Sequence, residues 1–550
     1  MNGAEAFVAT LKSWGVDTFF GLPGSTEAPL LEALRAEGTI RYVLSLHEGI
    51  AVAMADGYAR GSGRPGVVGL HTTVGTMNGM SQLFNSARDG IPVVMTAGHK
   101  DRAVLAEDGF CAFPDLPSLL RPFTKGAWQS LSTEMVGADL SRALLAATSA
   151  PRGPAFLTVP EDLLGAELAV PLDLGSLPSV RERPGPFGPR PGELTQLAEL
   201  LRAARKPVMV LGSEAAPAGP LAAELAAEVG LAVVASDLTD LVTFAFPASD
   251  PHYLGVYGDD PAVLAGCDLV LAVGGRAFFP FSNRLRPRLP DGAALVHIHP
   301  DPLQLGRRLP TAVGLAGDPQ AVLAALLDEF RRLPSPGDRD TRERHLEGLR
   351  AGRAAAIARE LESARGGDPV AVSEVLAEVA RVLPRGTIVV DEAVRASRSL
   401  FRYGGLPEGG AIWRSTGGAL GWGLPAAVGA KLARPDRPVV LVTGDGSLHF
   451  SVQALWSAVA QRAPVVVVVL DNGGYLAVKR AIEAMLAVPQ DARVHPGTEL
   501  SGIDHLLAAR AYGASGTLAP TAQAAAAAVE EGLAQNRVQV VSVPVAQIRP

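Results

Sequence analysis

The sequence predicts an α/β protein made of three doubly wound parallel-sheet domains. Two observations predict the sheets. Short β-branched and aliphatic runs alternate with helical stretches along all 550 residues. The runs are almost continuously apolar rather than alternating, the mark of strands covered on both faces, and strand–helix–strand order makes such strands parallel. A third observation divides them. Two polar stretches, 172–193 and 331–369, have linker composition: the first is crowded with Pro, Gly and Arg, and the second is a loop leading into a charged, Ala-rich helix.

In chain order, the expected domains are 1–171, 190–332 and 366–550. In the first, "RYVLSL", "GVVGLH", "IPVVMTAG" and "AFLTVP" read as strands, with "EGIAVAMADGYARG" as a helix between them. In the second, "PVMVLGS", "LAVVAS", "DLVLAVGG" and "ALVHIHP" read as strands. In the third, "TIVVDE", "PVVLVTGDG", "PVVVVVLDN" and "VQVVSVPV" do. The length agrees, at roughly 100–200 residues per domain.

Composition narrows the function. A net charge of −7 gives no electrostatic reason to expect a nucleic-acid partner. Cys111 and Cys267 are the only cysteines, without metal-ligand spacing or a disulfide framework, which fits a reducing cytoplasm. The first residues lack a basic segment followed by a long apolar core, so no signal peptide is expected. Runs such as "VVVVVL" fall far short of the ~20 residues a membrane span requires.

Ligands of doubly wound sheets sit beyond the carboxyl ends of the strands. There the third segment ends one strand at Gly444-Asp445-Gly446-Ser447 and the next at Asp471-Asn472-Gly473-Gly474-Tyr475, with Asn472 27 residues after Asp445. If the strands are neighbours, a carboxylate and an amide oxygen meet at one edge. The glycines let backbone groups approach an ion or phosphate closely. Such a donor set suits Mg²⁺ completed by a diphosphate, and a helix start after Gly446 would favour an anion. Either turn alone reads more simply as a strand-to-helix connection; together, at this spacing, they read as a site.

The GDG…N pattern matches the thiamine diphosphate-binding motif. The chain resembles the superfamily of thiamine diphosphate-dependent 2-oxo acid decarboxylases and acetolactate synthases, most of all its benzoylformate decarboxylase branch. The likeness runs through "FGLPGSTEAPLLEAL", "LHEGIAVAMADGYARGSGRPGVVGLHTTVGTMNGM", "GIPVVMTAGHKDRAV" and "TGGALGWGLPAAVGAKLARPDRPVVLVTGDGS". It implies pyrimidine-binding, middle and diphosphate-binding domains in that order. It implies Mg²⁺ on Asp445, Asn472 and the Gly474 carbonyl, with Gly444, Gly446, Ser447 and Tyr475 around the cofactor. Glu48 is implied as the carboxylate that activates the pyrimidine, Leu420 as the apolar prop beneath the bent cofactor, and the Gly418 carbonyl as acceptor for its amino group. Ser25 is implied to bind the substrate carboxylate and His71 to move protons. Each has a plainer reading: a helix-start glutamate, a core leucine, an N-cap serine. His47 has no implied role and reads as structural.

The chain also departs from the pattern. Phe281 stands where relatives carry a second active-site histidine, and a phenyl ring moves no proton. Val394 and Arg395 replace hydroxyl residues near the diphosphate, and Arg395 would suit a phosphate charge. Ala481 replaces an aromatic. With Ala477 it implies a reshaped substrate pocket, so benzoylformate itself does not follow. The expected activity is thiamine diphosphate- and Mg²⁺-dependent decarboxylation of an aromatic or hydrophobic 2-oxo acid to an aldehyde, with carboligation as a side activity. The rivals are a carboligase or C–C lyase of acyloin, acetolactate or 2-hydroxyacyl-CoA type and, more distantly, a non-catalytic nucleotide-binding protein. The middle segment lacks GxGxxG, and the benzoylformate-like character argues against FAD. A homodimer or tetramer with active sites at subunit interfaces, acting on a small 2-oxo acid or aldehyde, is implied as well.

Overall fold

The computed structural model describes residues 1–105, 107, 109–179, 188–189, 191–247, 249–276, 289–334, 338–406, 408–486 and 495–546. Its strands form three sheets, mostly parallel, with helices on both faces, as the apolar runs required. The first holds β1 (Thr18–Leu22), β2 (Arg41–Leu44), β3 (Gly66–His71), β4 (Val93–His99), β5 (Ala127–Gln129) and β6 (Ala155–Pro160), in the order β2-β1-β3-β4-β6-β5. The chain then makes β7 (Pro207–Leu211), β8 (Ala232–Ala235), β9 (Thr243–Phe244), β10 (Tyr253–Val256), β11 (Leu269–Val273), β12 (Ala294–His299) and β13 (Val313–Ala316). The second sheet runs β10-β8-β7-β11-β12-β13. Last come β14 (Ile388–Glu392), β15 (Ala411–Arg414), β16 (Val439–Gly444), β17 (Val466–Asp471), β18 (Ser515–Leu518) and β19 (Gln539–Pro544), in the order β18-β19-β17-β16-β14-β15-β9.

Every run read as a strand is one. The sequence reading missed β1, β5, β9, β10, β13, β15 and β18, most of them short or at sheet edges. β9 is a tertiary matter: two residues of the middle segment pair antiparallel with β15, Phe244 against Ile412. The first linker overlaps the helix Pro191–Ala203, and the charged stretch of the second is the 26-residue helix Arg339–Ala364.

Strand order reverses between β1 and β3, between β7 and β11, and between β14 and β16. These reversals open crevices at the carboxyl ends, where doubly wound sheets bind ligands. Two of the three receive the predicted site residues. The flanking sheets are held together by two small-residue helices, Glu48–Ser62 and Gly423–Ala433, packed backbone to backbone. A Cβ on Gly57 would lie 2.1 Å from the Ala426 carbonyl oxygen, and one on Gly429 2.0 Å from that of Met54. Only glycine permits this approach, which explains why residues 49–59 of the first helix are buried all round.

Candidate active site

β16 and β17 are parallel neighbours in register, Gly444 opposite Leu470, so the GDG and DNGG turns emerge side by side. Asp445 opens a single helical turn, Asp445–His449, and its Oδ2 accepts the Gly474 N–H at 2.8 Å. That helix has five residues, too few to make its N-terminus the strong anion site expected from sequence. Burial pushes the Asp445 carboxyl up, against hydrogen bonds from the Gly446 and Gly474 amides, and the nearby Asp471 charge pushes it further. A cation would reverse both effects.

Asn472 supplies the test of fit. Its Oδ1 is buried and has no hydrogen-bond partner among the described residues, a costly state for an amide oxygen unless something else takes it. With the Asp445 carboxylate it makes the oxygen-only donor set a Mg²⁺–diphosphate would use. The turn is shaped for this by Gly473, at φ +73°, and by Gly474, where a Cβ would lie 2.2 Å from the Thr498 carbonyl oxygen. The ring of Tyr475 covers Gly446, whose Cβ would come within 2.6 Å of it. Ser447 is buried in the Asp445 turn, and Gly444 faces open space.

Glu392 also stands at this crevice, at the end of β14, and sequence reading passed over it. Burial pushes its carboxyl up to about 8, although the Gly423, Trp422 and Gly421 amides hold it. Val394 and Arg395, just beyond, are exposed, Val394 at φ +49°.

Ser25, His71 and Glu48 lie on the first sheet. The crevice between β1 and β3 holds a short 3-10 turn, Ser25–Glu27, facing His71 at the end of β3. Gly24, not Ser25, caps this turn, which leaves the exposed Ser25 hydroxyl free of the N-cap duty its position suggested. The His71 ring lies against Gly24. Its Nδ1 is 2.9 Å from Thr26 Oγ1 and 3.2 Å from Glu27 Oε2. The Thr26 hydroxyl already donates to Glu27 Oε1 at 2.7 Å, so Nδ1 carries the proton and Nε2 is the basic nitrogen. Glu27 is buried and anchored by the N–H groups of Gly24 and Gly98. Glu27 was not singled out in the sequence, and a glutamate three residues after Gly24, where its carboxylate reaches back to the Gly24 N–H, was the available signal.

Glu48 opens the helix Glu48–Ser62, capped by His47, whose Nδ1 accepts the Gly49 N–H at 3.1 Å. Glu48 Oε2 accepts from Asn78 Nδ2 at 3.1 Å. Asn78 begins an amide stripe on the helix Thr72–Asp89. One turn on, Gln82 Nε2 donates to the Leu420 carbonyl at 3.0 Å, and Asn85 Nδ2 donates to that of Ala419 at 2.8 Å. One helix face thus holds both the Glu48 carboxylate and the Gly418–Leu420 loop. Gly418 is at φ +88°, conformationally closed to most residues, and Leu420 is half-buried. Spacing of 78, 82 and 85 at helical period made the stripe legible. Ala477 and Ala481 lie exposed on the helix Leu476–Leu486, and Phe281 falls outside the described residues.

Two sheet edges with convergent acid, base and amide groups, one of them with buried oxygens suited to a cation, are the arrangement of a cofactor-dependent enzyme. Comparison with known proteins agrees. Residues 1–116, 194–326 and 397–543 match the N-terminal TPP binding, central and C-terminal TPP binding domains of the thiamine pyrophosphate enzymes. The chain belongs to that family and is a thiamine diphosphate-dependent decarboxylase or carboligase. Within the family it is 35% identical to the benzoylformate decarboxylase of Pseudomonas aeruginosa, covering 98% of both chains. An acetolactate synthase large subunit from Haemophilus influenzae is 28% identical, over 86% of this chain and 82% of that one. Among solved structures, a thiamine diphosphate-dependent 4-hydroxybenzoylformate decarboxylase of Rhodococcus jostii RHA1 superposes with a TM-score of 0.85 at 28% identity, covering 100% of each chain.

Proposed function

We propose that the chain decarboxylates an aromatic or hydrophobic 2-oxo acid without oxidation, taking up one proton and releasing CO₂ and the aldehyde, with carboligation as a side activity. The observation that carries this reading is the Ser25–His71–Glu27 group: an imidazole held by a buried carboxylate through Nδ1, its Nε2 left for chemistry, beside an uncommitted hydroxyl. Thiamine diphosphate supplies the nucleophilic carbon and the electron sink for the pair left as CO₂ departs. Asp445, Asn472 and the Gly474 carbonyl would hold Mg²⁺ and, with it, the cofactor's diphosphate. Glu48 exchanges the activating proton at Oε1, the oxygen Asn78 leaves free. Ser25 Oγ donates to the substrate carboxylate and orients it. His71 Nε2 takes up the proton the reaction consumes and passes it on to replace the lost carboxyl group. Around Ala477 and Ala481, Val478 is 47% and Met485 78% exposed, a surface suited to an apolar side chain.

Leu46, two residues before Glu48, is 43% exposed, Val74 and Met77, on the helix that carries Asn78, are 53% and 58% exposed, and Phe450, just after the GDG turn, is 55% exposed. That apolar surface supports assembly as a homodimer or tetramer, with the active sites where copies meet. No described helix is long and apolar enough to cross a membrane, and the proposed location is the cytoplasm.

The test is product analysis with aromatic, branched and small 2-oxo acids, with and without acceptor aldehydes. Free aldehyde from an aromatic or hydrophobic acid is expected. Acyloin products with no free aldehyde would favour the carboligase instead. Glu48→Gln should retain thiamine diphosphate and lose on the order of 10²-fold or more in kcat. Full activity in that variant would sink the assignment of Glu48.

A further inference from the structure

Beside the proposed clamp lies a polar chain, centred on a buried histidine, that the chemistry above does not use. His449 ends the single turn begun by Asp445, His505 opens the helix His505–Ala511, and Asp471 ends β17 next to Asn472. His449 Nε2 lies 3.0 Å from His505 Nδ1, and His505 Nε2 lies 3.3 Å from Asp471 Oδ2. The two rings are tilted by 31°, with centroids 5.1 Å apart. His505 is 6% exposed.

The partners fix the direction. A carboxylate only accepts, so His505 Nε2 carries the proton and donates to Asp471. His505 Nδ1 is then the acceptor, and His449 Nε2–H donates to it. The far end of the chain bears on the clamp. Asp471 Oδ1 accepts the Gly473 N–H at 3.1 Å, closing the turn on which Asn472 stands. Gly474, next along, donates to Asp445. One imidazole therefore touches both halves: the Asp445 turn through His449 and the Asn472 turn through Asp471. These halves leave separate strands where the ladder ends at Gly444 and Leu470, and beyond it the Gly474 N–H bond to the Asp445 side chain links them.

We propose that His505 is a positioning residue for the cation–diphosphate clamp, bracing the Asp445 turn against the Asn472 turn so that the two side-chain oxygens are held at one cation. It rests on the cofactor reading above and deepens it. Groups that orient ligands in this way commonly contribute tenfold or more to metal affinity.

The experiment uses the full chain stripped of cofactor. It measures the Kd for Mg²⁺ at saturating thiamine diphosphate by calorimetry, together with the apo melting temperature. His505→Phe keeps the ring volume and removes both nitrogens; it should raise the Kd about tenfold with little change in apo Tm. His505→Gln restores a donor toward Asp471 and should recover most of the affinity. His449→Leu should weaken binding in the same direction. Combined with His505→Phe it should add less than its own single effect, because both act through one chain. Unchanged Kd in His505→Phe overturns the inference. So does a Kd loss that His505→Gln leaves unrepaired while apo Tm falls in parallel, since that is the behaviour of packing alone. If the unaltered protein binds no Mg²⁺–thiamine diphosphate, the cofactor reading falls and this inference with it; the other outcomes touch only His505.

Discussion

Individual side chains here owe their chemistry to what encloses them. Glu392 is an example. Its ordinary value is near 4.5, and burial lifts it to about 8. Between those values the folded protein holds a proton that the unfolded chain has lost. Folding stability from this group is therefore full below pH ~4.5 and disappears as pH rises through about 8. The apo melting temperature should fall across that window, and Glu392→Gln should flatten the decline, as a pH series of thermal melts would show. His299 acts in the opposite sense. Burial, with His297 beside it, lowers it to about 4. The unfolded chain then binds the extra proton between pH ~6.5 and 4, and stability declines as pH falls through that range. Asn472 is legible in another way: its amide oxygen is buried with no partner among the described residues, which is what the proposed cation would supply.

Elements place these residues by close approach. The DNGG turn works because Gly474 lies under the Thr498 carbonyl. Gly474→Ala must push that contact apart, at about 1–3 kcal/mol, and moves the Gly474 carbonyl with it. The expected result is a raised thiamine diphosphate Kd, read by calorimetry, with secondary structure unchanged by circular dichroism. The helix Thr72–Asp89 is the second such element, its amides holding Glu48 on one turn and the Gly418–Leu420 loop on the next two. Asn85→Leu removes both hydrogen bonds to Ala419. It should loosen that loop, visible as faster hydrogen exchange over 417–421.

At the scale of the whole molecule, one buried cation ties a helix of the first domain to the third sheet. Arg60 is 3% exposed and pairs with Asp56 at 2.7 Å and Asp89 at 2.9 Å. It also donates to the Arg414 carbonyl at 2.9 Å, and its guanidinium lies 4.7 Å from the Trp422 ring centre. Asp89 in turn accepts from the Thr416 hydroxyl and amide. Arg60→Met would strand two buried carboxylates, at about 3–5 kcal/mol. Denaturant unfolding should show that loss, and limited proteolysis should cut more readily between the sheets. The exposed apolar face carries the prediction for assembly. Met77→Glu should shift the sedimenting species toward monomer and lower activity together; an active monomer would contradict active sites shared between copies.

The sequence by itself determined the fold class, most of the sheet strands and the placing of Asp445 and Asn472 just beyond the ends of two neighbouring strands. Each is a local matter: apolar runs demand burial on both faces, and glycine-bounded polar residues after such runs lie at strand ends. It also named Glu48, Ser25 and His71 as candidates through family likeness. Tertiary structure decided what those residues touch. Glu27 becomes the partner of His71 only when β1 and β3 lie side by side. Asn78 meets Glu48 only when two helices of the first domain pack together. The bonds from His449 to His505 and from His505 to Asp471 join positions 56 and 34 residues apart in sequence. No periodicity records such meetings, because they arise from the order in which strands assemble into sheets.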